Sequence, residues 1–325
     1  MTSESNESLP QLVTPLPGPR SQAASRALHA VEANGISAIE KGATPVFWSR
    51  ASGAVVEDID GNRFLDCSSS FGVASVGYCH PRVQAAIIGQ CGSLMHTMSG
   101  IYPHLAYIKA LEAVINAVGR WDHNEVLMTN TGSEAIEVAL KLSLLRAGKP
   151  GVVAFQGAFH GQSLGALSVT SYNGLRNPFT PILPQQVTWI PYPNPYRPAF
   201  GATASSVADA CLEYLGHILR ADMVGGLPVG AVLVEPMQNS SGYIVPPDGF
   251  LRALRALCNE HGVLLILDEI FTGFGRTGYW LAADRESVIP DIVCVGKAMT
   301  GGVPSGACIA DHTMMSVLSH PEIVP

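Results

Sequence analysis

The chain has 325 residues, 47% of them hydrophobic and only 14% charged, with a formal net charge of −7. That length suits one large α/β domain with a smaller appendage, and the acidic balance without a basic cluster argues against nucleic acid as a partner. Charge this sparse, against the roughly 25% usual for soluble domains, implies either a surface covered by a partner subunit or simply an alanine- and glycine-rich composition.

Residues 1–24 are polar and proline-bearing and read as a flexible N-terminal arm. They lack the basic start and apolar core of a secretory signal, and no apolar run in the chain reaches the ~18 residues of a membrane span. Residues 25–105 form an irregular N-terminal segment. Within it, Asp60-Gly61-Asn62 stands between alternating stretches, a small antiparallel hairpin signal. From 106 to 325 strands and helices alternate, which predicts a mostly parallel sheet flanked by helices. The expected strands are 126–129, 152–155, 187–190, 231–234, 262–268 and 291–297. Helices are expected over 132–147, near 205–220 and near 248–260. The first of these opens on the capping-box pattern Thr131-Gly-Ser-Glu134 and stops at Gly148-Lys-Pro150. Seven cysteines, at 67, 79, 91, 211, 258, 294 and 308, are scattered and contain no C-x-x-C. This argues against a disulfide framework or a metal site and fits reduced thiols in the cytoplasm.

The chemistry gathers at strand ends, where open α/β sheets place their ligands. The run 262–268 ends in Asp268, and the run 291–297 ends in Lys297. A lysine amine and a carboxylate at one sheet edge are what pyridoxal phosphate requires: the amine for a Schiff base, the carboxylate to keep the pyridine nitrogen protonated. Their alternative is a structural salt bridge. After 126–129, Thr131, Gly132 and Ser133 open a helix whose free N–H groups suit a phosphate, although Thr and Ser also cap helices elsewhere. After 152–155 comes Phe159-His160-Gly161-Gln162. Phe159 could stack on a flat ring or belong to the core, and His160 could simply bond nearby backbone. Glu235 follows 231–234 and fits a buried, paired carboxylate equally well. Gly273-Phe-Gly-Arg-Thr-Gly278 matches the dinucleotide fingerprint G-x-G-x-x-G, but Tyr279-Trp280 follows where a helix should start, so the motif is a decoy.

Taken together, these residues resemble the class III pyridoxal-phosphate-dependent aminotransferases of fold type I, with an N-terminal half similar to 4-aminobutyrate aminotransferases. The most specific stretch is Leu264-Leu-Ile-Leu-Asp-Glu-Ile-Phe-Thr-Gly-Phe-Gly-Arg-Thr-Gly278, followed by Pro290-Asp-Ile-Val-Cys-Val-Gly-Lys297. The resemblance implies Lys297 as the Schiff-base lysine and proton carrier, and Asp268 as the partner of the pyridinium nitrogen. It implies Thr131, Gly132 and Ser133 at the phosphate and Phe159 on the ring with His160 beside it. Glu235, Gln162 and Phe71 are implied on the substrate side. It further implies amino transfer from an amine or ω-amino acid to a 2-oxo acid, and a homodimer.

Two departures stand out. Relatives that act on glutamate or 4-aminobutyrate usually carry Arg after the His-Gly pair, where this chain has the neutral Gln162. Family members also continue about a hundred residues further, through a C-terminal small domain that this sequence lacks. The expected alternatives are therefore a fragment of a longer sequence, a half-site subunit or inactive paralogue completed by a complementary C-terminal chain, or a racemase, decarboxylase or aminomutase using the same cofactor.

Overall fold

The computed structural model describes residues 9–33, 44–98, 100–220 and 227–319. Two compact units divide between His96 and Thr97.

The first unit is built on polar ties. Helix α1 (Pro19–His29) starts with proline at its first position, where the missing N–H costs nothing. The Asp60 carboxylate accepts from the next backbone N–H groups, those of Arg20 and Ser21, each at 2.8 Å. Strands β1 (Trp48–Ser52), β2 (Val55–Asp58) and β3 (Arg63–Leu65) form an antiparallel sheet in that order. The β2–β3 hairpin is the one signalled by Asp60-Gly61-Asn62, and Gly61 takes the positive φ of 89° that the turn needs. Asn62 Oδ1 accepts from Val13 N–H and Thr14 N–H. The stretch read as an arm is thus tied to the β2–β3 hairpin from Gln11 onward; its first eight residues lie outside the described residues. A single turn, α2 (Ser69–Gly72), follows, and then α3 (Pro81–Cys91), which buries none of its residues.

The second unit carries the alternation expected from the sequence. In chain order it runs α4 (Leu105–Val118), β4 (Asn124–Thr129), α5 (Gly132–Ala147), β5 (Gly151–Phe155), α6 (Leu164–Ser168), α7 (Asn173–Arg176), β6 (Val187–Ile190) and α8 (Val207–Arg220). The order continues β7 (Val229–Val234), α9 (Phe250–His261), β8 (Leu264–Asp268), β9 (Ile292–Gly296), β10 (Gly306–Asp311) and α10 (His312–Met315). Seven strands form one sheet in the order β4-β10-β9-β8-β7-β5-β6. The strands from β9 to β6 pair in parallel, while β10 is antiparallel to both neighbours. The carboxyl ends of β4, β5, β7, β8 and β9 therefore open on the same edge.

Alternation along the strands feeds two apolar layers, one on each face. Leu265, Leu267, Val293 and Val295 pack with α8 and α9 through Leu215, Phe250 and Leu254. Ile266, Ile292 and Cys294 pack with α5 through Ala135, Ile136, Ala139 and Leu142. Full burial on both faces explains why β7, β8 and β9 read as continuous apolar runs. Among the described residues no helix is long and apolar enough to cross a membrane.

Candidate active site

The sheet edge assembles its groups from five separate chain segments. Asp268 is the last residue of β8, and Lys297 immediately follows β9. Glu235 follows β7, Phe159 and His160 lie in the loop after β5, and Thr131, Gly132 and Ser133 join β4 to α5.

Asp268 is held rigidly. Its Oδ1 accepts from Ile270 N–H at 3.0 Å, and its Oδ2 lies 2.7 Å from His160 Nδ1. Both side chains are buried. The backbone N–H of His160 donates to Thr170 Oγ1 at 2.9 Å, anchoring the main chain that carries the ring. His160 Nε2 is buried and has no partner among the described residues. A satisfied core histidine would bond both nitrogens, so a polar atom left open here faces a place for a ligand.

Lys297 sits in the left-handed region at φ 43°, an uncommon conformation that non-glycine residues keep mostly where the surroundings impose it. Among the described residues its Nζ makes no ion pair, so the structural salt bridge to Asp268 is not formed. The amine lies over the Phe271 ring, with Nζ 5.7 Å from the centroid. Burial holds the amine below the usual lysine range, while the Asp268 and Glu235 carboxylates oppose that shift. Burial pushes Glu235 up to about 7, with His160 drawing it down and Asp268 adding to the rise. Its oxygens accept from Phe159 N–H at 3.0 Å and Asn239 N–H at 3.1 Å.

The α5 terminus is shaped for close approach. Thr131 Oγ1 accepts from Glu134 N–H at 3.2 Å, the N-cap half of the box anticipated from Thr131-Gly-Ser-Glu134, while Glu134 Oε2 accepts from Asn130 N–H at 2.7 Å, one residue before the cap. Ser133 Oγ accepts from Gln162 N–H at 3.2 Å. A Cβ at Gly161 would fall 2.1 Å from that same hydroxyl, and one at Gly132 would fall 2.9 Å from the Ile270 side chain. Both glycines are therefore required by space, and Gly161 also by its φ of 132°.

Phe159 is half-buried, edge-on to Tyr172 at 6.1 Å. Gln162 is exposed beside Ser133. Phe71 belongs to the first unit, where it is exposed at a positive φ. Gly273–Gly278 forms a hairpin turn, Phe274 N–H to Trp280 O and Gly275 N–H to Tyr279 O; no helix starts there. Not anticipated from the sequence are Phe271 beside the lysine, Thr170 behind His160, and Glu269. Phe271 and Glu269 lie within the conspicuous 264–278 run but give no separate signal there, and an isolated Thr170 gives none at all.

These residues fit a flat, phosphorylated aldehyde such as pyridoxal phosphate. A half-buried amine with no ion pair among the described residues, a fixed carboxylate one strand away, and a helix N-terminus with a hydroxyl share one edge. A profile of class-III aminotransferases matches residues 36–323. The chain is 33% identical over 315 residues to the alanine/serine racemase of Pyrococcus horikoshii, covering 95% of this chain and 65% of that protein. It is 38% identical over 266 residues to an acetylornithine aminotransferase of Methanopyrus kandleri, covering 82% and 62%. A PLP-bound amine transaminase from an uncultivated Pseudomonas species superposes with a TM-score of 0.81 at 27% identity, covering 90% of this chain and 68% of that one. The chain spans a little under two thirds of the length of those two curated relatives.

Proposed function

The chain belongs to the class-III aminotransferase family, and from that premise we propose that it is a pyridoxal-phosphate-dependent transaminase. It moves an amino group from an amine or ω-amino acid to a 2-oxo acid. The observation that carries this proposal is the half-buried Lys297 amine, without an ion pair among the described residues and one strand from the Asp268 carboxylate.

When bound, the cofactor supplies an aldehyde that links to amines and a ring that accepts the electrons released at the neighbouring carbon. Lys297 Nζ would hold the cofactor at that aldehyde and would be the base that takes the proton from the donor's Cα. Burial serves this task, because a lysine pushed below its ordinary range is more often the unprotonated base. Asp268, braced by His160 and Ile270 N–H, keeps a proton on the ring nitrogen. Ser133 Oγ and the first N–H groups of α5, with Thr131 and Gly132, hold the phosphate. Phe159 covers the ring, with His160 beside it. Glu235 and Gln162 face the donor, and a neutral amide at Gln162 favours the amines of that class over ω-amino acids, whose distal carboxylate it cannot neutralise.

A cytoplasmic setting fits the unpaired cysteines. A second subunit, either another copy or a complementary chain, fits the large apolar side chains at the surface, such as Ile88 and Met95 in the first unit and Tyr102 and Leu105 in the second. The test is amino transfer from a panel of amines and ω-amino acids to pyruvate or 2-oxoglutarate, with products separated on a chiral column. Formation of the new amino acid supports the proposal. Loss of the donor's optical purity without transfer would replace it with racemisation.

A further inference from the structure

Glu269 and the loop it governs have no place in the mechanism above. Glu269 is fully buried next to Asp268. Its carboxylate accepts from the Thr272 hydroxyl, from Ala282 N–H at 3.0 Å and from Ala283 N–H at 2.9 Å. Its own N–H donates to Cys294 O on β9 at 2.9 Å, and its carbonyl accepts from Gly273 N–H at 2.8 Å. A side chain at Gly273 is excluded, since a Cβ would fall 2.8 Å from that carbonyl. One carboxylate thus ties both ends of the segment 270–283 to the end of β8.

That segment delivers Phe271. The ring is 9% exposed, with Lys297 Nζ 5.7 Å from its centroid and the Arg276 guanidinium 5.8 Å away. Tyr243, from the loop after β7, packs against it at 5.8 Å and 50°. A cation is attracted to an aromatic face within about 6 Å, and among the described residues no carboxylate competes at ion-pair distance. We propose that Phe271 is a positioning residue for the reacting lysine: its ring face seats the Lys297 ammonium away from Asp268, and Glu269 keeps that seat in place by clamping both ends of its loop. This rests on Lys297 being the reacting amine. With the ammonium resting on a ring rather than on a carboxylate, Asp268 stays available to a ring nitrogen.

The charged and titratable groups around the amine are Asp268 from β8, Glu235 after β7, His160 after β5, and Arg276 in the loop itself. Around Glu269 they are Arg120 and Asp284, joined to each other by an ion pair. None is altered by changing Phe271.

The test reads the Lys297 amine without any cofactor. The full chain is reductively methylated with formaldehyde and cyanoborohydride across a pH series, and modification at Lys297 is mapped by mass spectrometry against exposed Lys141. Removing the ring removes an attraction for the charged form. In Phe271→Leu the midpoint should therefore fall by about half a pH unit, while Phe271→Tyr, which keeps the face, should match the wild type. Glu269→Gln should shift it in the same direction. Phe271→Met repeats the test should the leucine variant not fold. Unchanged or raised midpoints in both ring-less variants would overturn the seat, and an unchanged midpoint in Glu269→Gln would overturn the clamp. A wild-type chain that methylates as expected but never captures pyridoxal phosphate would refute the proposed function alone.

Discussion

Asp268 and Glu269 are neighbours in sequence and equally removed from water, yet the regions they enter are finished in opposite ways. On Glu269's side every contact closes: a hydroxyl and two N–H groups are spent on one carboxylate. On Asp268's side the contacts stop short. His160 is bonded at one nitrogen and open at the other, and Lys297 Nζ lies within the influence of two carboxylates without pairing to either. Burying polar groups unsatisfied is costly, so a fold that satisfies one side and leaves the other open is reserving the open side for a ligand. The closed side is what keeps the open side in shape.

Substitutions on the open side should damage chemistry and spare the fold; on the closed side the order should reverse. Lys297→Ala is the largest expected effect: turnover should fall by about 10³–10⁴-fold or more, with an unchanged far-UV spectrum. Asp268→Asn should cost roughly 10²–10³-fold in kcat with a much smaller change in unfolding midpoint; retained kcat would remove Asp268 from the mechanism. Gly161→Ala lies between the two sides. Its Cβ collides with Ser133 Oγ at 2.1 Å, so cofactor affinity should drop along with a stability loss of about 1–3 kcal/mol, read by urea titration with and without pyridoxal phosphate.

Glu269→Gln tests the closed side through pH. Burial pushes this carboxyl from 4.5 up to about 7, so the folded state holds the proton more tightly than the unfolded chain does. Its contribution is therefore most favourable below about pH 4.5 and is lost as the pH rises to about 7. The stability advantage of wild type over Glu269→Gln should shrink across that window, by at most about 3 kcal/mol. A difference constant with pH would show that Glu269 does not titrate there. Phe71→Ala, at a side chain 69% exposed, is the smallest: stability should move by less than about 0.5 kcal/mol, read by urea titration.

The strand ends are legible in the sequence because a strand buried on both faces must read as an apolar run, and a charged residue closing it is conspicuous. From the sequence alone, Asp268, Lys297 and Glu235 are thus expected at one edge. Strand β10 is not legible. Gly306-Ala-Cys-Ile-Ala310 is short and made of small residues, and only its pairing with β4 and β9 defines it. Helix α4 is hidden for a related reason: its apolar positions are divided between core and surface, with Val114 and Val118 buried and Leu105 and Ile108 exposed. The His160–Asp268 bond spans 108 residues, and no local pattern encodes a partner at that distance. Phe271 reads as one more apolar residue in a motif until the fold brings Lys297 to its face.

Capture of pyridoxal phosphate by the full chain tests the central claim most directly. The chain is mixed with the cofactor, followed by visible absorbance, reduced with borohydride and mapped by mass spectrometry. A yellow species reduced to a single adduct on Lys297, absent in Lys297→Ala and weakened in Asp268→Asn, is the expected result. An adduct spread over exposed Lys109, Lys141 and Lys149, or none at all, would contradict the claim that this sheet edge is built to hold the cofactor.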